Sequence, residues 1–138
     1  KPTDVGYVSS SFGMRRDPIR KKRAFHAGID ISAPKNTAIY STAPGKVIKA
    51  GRSGAYGLLV EIDHGQGFRT KYGHLKKIYV KRGQKIDFRT KVGIMGSTGR
   101  STGRHVHYEV LYNGKPQDPA KFFKAGKYAF KSVPKKDG

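Results

Sequence analysis

The chain has 138 residues, room for one domain built on one core. Lys and Arg number 29 against 9 Asp and Glu, and the resulting net charge of +20 points to a polyanionic partner: nucleic acid, an anionic membrane surface or an anionic cell-wall polymer. Cysteine is absent, which excludes a disulfide framework and a Cys-based zinc site and leaves any metal to His and carboxylates.

Hydrophobic residues are only 36% of the chain, so the expected core is modest, and 18 Gly with 7 Pro favour short strands and turns over long helices. No apolar run approaches the roughly 18 residues of a membrane span, and no signal-peptide pattern is present. Because the first residue is Lys1, the chain reads as an excised or processed piece, and that absence is silent about location.

Residues 1–13 are polar and end in S-S-S-F-G, a turn-like entry. Residues 14–25 carry Arg15, Arg16, Arg20, Lys21, Lys22 and Arg23 around Pro18 and are expected to be an exposed basic loop. From residue 26 onward, strand-like runs at 46–50, 58–63, 68–74, 77–80, 91–95 and 105–112 alternate with Gly- or Pro-containing separators. This spacing predicts a mostly β domain, a small antiparallel sheet or barrel-sandwich with little helix. A single helical turn is expected over 118–125, with Asp118 as cap and Pro119 at the first position. The folded domain is expected to span 1–125, followed by a Lys-rich, frayed tail at 126–138.

The five histidines are the most informative residues. His105 and His107 lie in H-V-H-Y-E-V, where strand alternation puts both on one face and Val106 and Tyr108 on the other. In H-A-G-I-D-I, an extended backbone gives His26, Gly28 and Asp30 one face and turns Ala27, Ile29 and Ile31 to the core. Gly28 leaves space for something to approach the backbone between the two polar residues. Alternation likewise pairs His74 with Tyr72, and His64 in D-H-G-Q-G reads as a turn residue with no chemistry. Two imidazoles, one carboxylate and an open position would make a hydrolytic zinc site, with spare histidines to move protons. Spacing alone leaves several ligand sets open, and the competing possibility is ordinary surface or hydrogen-bonded histidines.

Six collinear motifs rank those sets. They are S-S-F-G-M-R-R-D-P at 10–18, H-A-G-I-D-I-S-A-P at 26–34, A-P-G-K-V at 43–47, G-A-Y-G at 54–57, H-G-Q-G-F-R-T-K-Y-G-H-L at 64–75 and G-S-T-G-R-S-T-G-R-H-V-H-Y-E at 96–109. In this order the chain resembles the lysostaphin-like, LytM-type murein endopeptidases from about Val8 to Phe123. The resemblance implies one zinc ion on His26, Asp30 and His107, with His74 and His105 as the non-ligand active-site histidines. It also implies a groove across the metal site and peptidoglycan peptides as substrate; the expected location is extracytoplasmic, in the periplasm, with a secreted or cell-wall-associated protein as the alternative. Departures are confined to loops: Asn36 and Ala38 replace a common Gly and Pro, and Arg89 stands where a turn Gly is frequent.

Stem peptides carry free carboxylates, so the basic cluster at 15–23 suits a groove rim that captures substrate; a solvated loop is the alternative. The absence of an obvious wall-targeting module and the basic character favour D-Ala–diaminopimelate crosslinks over glycyl bridges. Three rival functions are a nucleic-acid-binding β domain, favoured by charge and 15 Tyr and Phe, a metal-free murein-binding or amidase-activating module, and a cupin-type iron site. The first lacks a recognition signature, so no specific nucleic acid is expected. The third fails because Glu109 follows His107 by only two residues and no His comes later.

Overall fold

The structure is a computed structural model that describes residues 1–17, 22–96 and 105–125. Residues 18–21, within the expected basic loop, residues 97–104 and the expected tail 126–138 lie outside the described residues.

Five strands form the centre of the architecture: β4 (Ile29–Ser32), β6 (Gly45–Arg52), β7 (Leu58–Gly65), β8 (Phe68–Ile78) and β11 (His105–Tyr112). With β1 (Tyr7–Ser10) and β9 (Lys85–Ile86) at the edges they run in the order β1-β4-β11-β8-β7-β6-β9. Every pairing is antiparallel, as expected for hairpin-linked strands. Strand β10 (Lys91–Met95) joins β8 to β5 (Ala38–Tyr40), and β12 (Lys115–Gln117) extends β11. The one described helix, α1 (Pro119–Ala125), starts where Asp118 accepts a bond from the Ala120 amide. The fold is therefore mostly antiparallel β with a single short helix.

Alternation places the core. Ile29 and Ile31 on β4, and Val106, Tyr108 and Val110 on β11, point inward and are buried with Val47, Val60, Ile62 and Tyr72. Ala27 does not join them: the chain bends at 27–28, and Ala27 is only part-buried. The region expected to be a basic loop is instead largely a hairpin of β2 (Gly13–Asp17) and β3 (Lys22–His26), and Tyr7–Ser10 in the polar entry is a strand. Runs expected as separate strands at 68–74 and 77–80 merge into β8.

A polar chain threads the apolar core. Thr70 donates to the Tyr72 hydroxyl at 2.7 Å, Thr42 Oγ1 lies 3.2 Å from that hydroxyl, and 2.9 Å from the Tyr108 hydroxyl. His64 closes its far end, with Nε2 2.8 Å from Thr70 Oγ1 and Nδ1–H donating to the Pro44 carbonyl at 2.7 Å. These contacts satisfy buried hydroxyls that would otherwise each cost about 1–3 kcal/mol, and they fix Tyr108 between the two residues that matter most on β11. His64 has this structural role and no place in the cluster described below.

Arg89 takes φ +70°, a conformation that a turn Gly adopts more readily. Three contacts hold it there: a bidentate pair with Asp4 at 2.9 and 3.0 Å, its guanidinium 4.0 Å over the Tyr40 ring, and its amide bonded to Ser41 O at 2.9 Å. Asn36, at φ +64°, is a residue that tolerates the left-handed region.

Candidate metal centre

The register of β11 decides what its outward face meets. His107 pairs with Asp30 of β4 on one side and with Gly73 of β8 on the other. On a pleated sheet, directly paired residues share a face, so Asp30 and His107 come together from positions 77 apart in sequence. Their atoms Nδ1 and Oδ1 are 2.8 Å apart. His26 arrives from the end of β3, with Nε2 3.5 Å from the other Asp30 oxygen. Ligand atoms of His26, Asp30 and His107 all lie within 4.8 Å of one another.

Both imidazoles turn a proton outward. His26 Nδ1 is 2.8 Å from the Ser11 carbonyl, which only accepts, so Nδ1 carries the hydrogen and Nε2 faces Asp30 with its lone pair. His107 Nε2 is 2.8 Å from Glu109 Oε2, which leaves Nδ1 to face the cluster. Two neutral imidazole nitrogens and a carboxylate converging on one point, each imidazole anchored by an oxygen behind it, form a donor set suited to zinc.

His74 and His105 complete the constellation. Their rings are 5.3 Å apart and edge-on, and the His74 ring is 6.2 Å from that of His107. His105 Nε2 is 3.9 Å from Asp30 Oδ1. His74 reaches this face against the expected alternation: Tyr72 points into the core, and it does not share a face with His74. The reason is a bulge. His74 takes φ +62°, and β8 spends three residues where β7 spends two, between the pairs Val60↔Tyr72 and Leu58↔Leu75.

Two residues of the site escaped the sequence reading. Glu109, 4% exposed, lies on the same face as His107, and its Oε2 also accepts a 2.8 Å bond from the Tyr56 hydroxyl. Alternation from His107 to Glu109 was the available signal; Tyr56, in the turn before β7, gave none. Gly28 is now explained. A Cβ there would strike the Tyr108 carbonyl and come within 2.8 Å of Glu109 Cγ, so what approaches the backbone is β11 itself. Beyond Glu109, a cleft of about 610 Å³ follows the same sheet face, lined by Glu61, Asp63, Arg69, Lys71 and Leu111 among others. The expected groove over the ligands is not part of that cleft's lining.

Charge is tightly managed in the metal-free cluster. Burial opposes the Asp30 carboxylate, but the adjoining His107 and His26 outweigh it and hold its pKa well below the usual carboxylate range. Burial likewise opposes His107⁺, yet Asp30 and Glu109 raise its pKa to about 9. Burial raises the Glu109 pKa, and bonds from His107 and Tyr56 more than reverse it, to a net lowering. The Tyr56 phenol is pushed up by burial and by its bond to Glu109. A raised His107 pKa contributes stability fully below its unfolded value of 6.5, and that contribution fades as pH rises through about 9. The lowered carboxylates contribute above their unfolded values of 3.8 and 4.5 and lose it in acid. Chelator-treated protein is thus expected to melt at lower temperature at pH 10 than at pH 7, with a smaller difference in His107→Ala. Calorimetry across that range checks it.

The peptidoglycan DD-endopeptidase ShyA of Vibrio cholerae is 40% identical over 131 residues, covering 94% of the chain and 30% of ShyA. The chain thus spans less than a third of that relative's length. A zinc-containing peptidase from Vibrio cholerae superposes with a TM-score of 0.79 at 37% identity, over 85% of the chain and 37% of that structure. The catalytic domain of the antimicrobial peptidase lysostaphin from Staphylococcus simulans gives 0.77 at 29% identity, over 86% and 92%. Residues 24–119, from the end of the basic hairpin to the start of α1, match peptidase family M23 throughout, and the chain belongs to that family.

Proposed function

We propose that residues 1–125 form a zinc-dependent endopeptidase domain that hydrolyses peptide crosslinks of peptidoglycan, of the D-Ala–diaminopimelate kind. The observation that carries this reading is the convergence of His26, Asp30 and His107 with ligand atoms within 4.8 Å. Membership of family M23 supports peptidase chemistry, and the likeness to a protein named as a DD-endopeptidase supports the bond. A substrate in the wall supports an extracytoplasmic domain, which we assign to the periplasm. No helix among the described residues is long and apolar enough to cross a membrane.

His26, Asp30 and His107 would hold one zinc ion. When bound, zinc supplies Lewis acidity, which acidifies water and polarises a carbonyl. The chain supplies the rest. Asp30, kept ionised by its hydrogen bonds, offsets the cation's charge. His74 and His105 stand side by side next to the ligands, where one ring takes the proton of the attacking water. The other donates N–H to the oxygen that gains charge as the carbonyl becomes tetrahedral, and the first ring passes the proton it took from water to the departing amine. Neither ring belongs to the proposed ligand set.

The test is digestion of purified sacculi with direct diaminopimelate crosslinks and of sacculi with glycyl bridges, followed by mass analysis. Wild-type protein is expected to release uncrosslinked muropeptides from the first kind only. His107→Ala, which removes one of three ligands and leaves Asp30 without its nearest partner, is expected to release none. Equal release by both proteins would sink the zinc mechanism, and release from glycyl bridges alone would reassign the bond.

A further inference from the structure

We infer that Glu109 and Tyr56 act as positioning residues for the metal ligand His107, fixing its tautomer and the aim of its ring. The inference rests on the zinc reading of the His26–Asp30–His107 cluster.

The geometry is specific. Glu109 is the only buried carboxylate side chain in the core-facing or site-facing layers among the described residues, at 4% exposure. A buried carboxylate is costly unless it is hydrogen-bonded, and this one directs a single oxygen, Oε2, at two donors. His107 Nε2–H and the Tyr56 hydroxyl each reach it at 2.8 Å. Because an ionised carboxylate accepts and never donates, the His107 proton must sit on Nε2. Nδ1, 2.8 Å from Asp30, carries a second proton in the metal-free ring and would present its lone pair where that proton gives way to zinc. A bond at Nε2 also restrains rotation of the ring about χ2, which would otherwise be broad for an imidazole.

Tyr56 holds Glu109 in turn. Its ring lies 5.9 Å from the His107 ring, over Gly73, where a Cβ would come within 3.1 Å of Tyr56 Cδ1 and 3.6 Å of His107 Cβ. Gly73 therefore lets the tyrosine lie low enough across β8 to meet Glu109. Lys71, directly paired with Glu109 in the sheet, places its ammonium 5.0 Å over the outer part of this assembly, on the Tyr56 ring. On the far side, glycine at 28 leaves the room that Glu109 Cγ occupies, since a Cβ there would come within 2.8 Å of it. The carboxylate is thus held by its two donors, and the proposed ligand His107 inherits its orientation.

The experiment measures zinc affinity by competition with a chromophoric chelator for the wild type, Glu109→Ala, Glu109→Gln and Tyr56→Phe, together with their circular dichroism. Glu109→Ala is expected to bind zinc roughly 10–100-fold more weakly, the usual effect of losing a carboxylate behind a ligating histidine. Glu109→Gln keeps an oxygen acceptor at the same place and is expected to recover most of that loss; Tyr56→Phe is expected to lose less than Glu109→Ala. Long-range proton–nitrogen spectra of zinc-loaded wild type should find the His107 proton on Nε2. Unchanged affinity in Glu109→Ala, a glutamine variant as weak as the alanine one, or a proton on Nδ1 would overturn the inference. Failure of the wild type to bind zinc would overturn the zinc reading itself, a distinct result.

Discussion

His105→Ala and His74→Asn are each expected to lower kcat on crosslinked peptidoglycan by roughly 10²–10⁴-fold while keeping bound zinc. The expectation comes from where the two rings stand. They face each other at 5.3 Å and border the ligands, yet neither contributes to the set whose ligand atoms fall within 4.8 Å. A ring that moves protons in the transition state lowers kcat when removed, and a ring that only helps bind substrate raises KM. Asparagine is the informative choice at 74 because it accepts a left-handed backbone, so the variant removes the imidazole without refolding β8. Metal content and steady-state kinetics on a defined crosslinked muropeptide separate the outcomes. Loss of zinc from either variant would make that histidine a ligand, and near-normal kcat in both would remove general acid–base catalysis by these rings.

Gly28→Ala is expected to be the most damaging change of a single methyl group. The added Cβ meets the Tyr108 carbonyl, which is backbone and fixed by the β11 pairings, and Glu109 Cγ at 2.8 Å. The strain is of the order of 1–3 kcal/mol, as for other overpacked positions, and a displacement near 1 Å at a reacting site costs roughly 10²-fold in rate. Both effects follow because the residue sits between the proposed ligands His26 and Asp30. A control exists in Gly45, where a Cβ would likewise strike a backbone carbonyl, that of Asp63. Gly45→Ala is expected to lower the melting temperature without the added loss in kcat. Thermal melts and kinetics on the two variants check the pair; equal kinetic losses would mean that Gly28 matters only to folding.

Much of this was legible in the sequence, for identifiable reasons. The run 105–112 coincides with β11 because Val106, Tyr108 and Val110 alternate with polar residues, and the short apolar run 91–95 coincides with β10. Asp118-Pro119 marked the only described helix because a cap followed by proline has few other uses. The hairpin at 13–26 was missed because its residues are mainly charged, and there pairing rather than burial defines the strands. At the site, alternation joined His105 to His107 but failed at His74, since a bulge is a backbone event that side-chain pattern does not encode. Asp30 meeting His107 depends on the register of β4 with β11, which only long-range pairing decides; the collinear motifs supplied that grouping instead.

The left-handed backbone of His74 carries a last consequence. A non-glycine residue in that region is held there at some conformational cost, and histidine is retained where a glycine would relax. Stability and chemistry therefore pull in opposite directions at one codon. A library sorted only for heat resistance would drift toward inert residues at position 74 and yield a tougher protein that no longer cuts. Sorting for wall lysis would hold the strained imidazole in place.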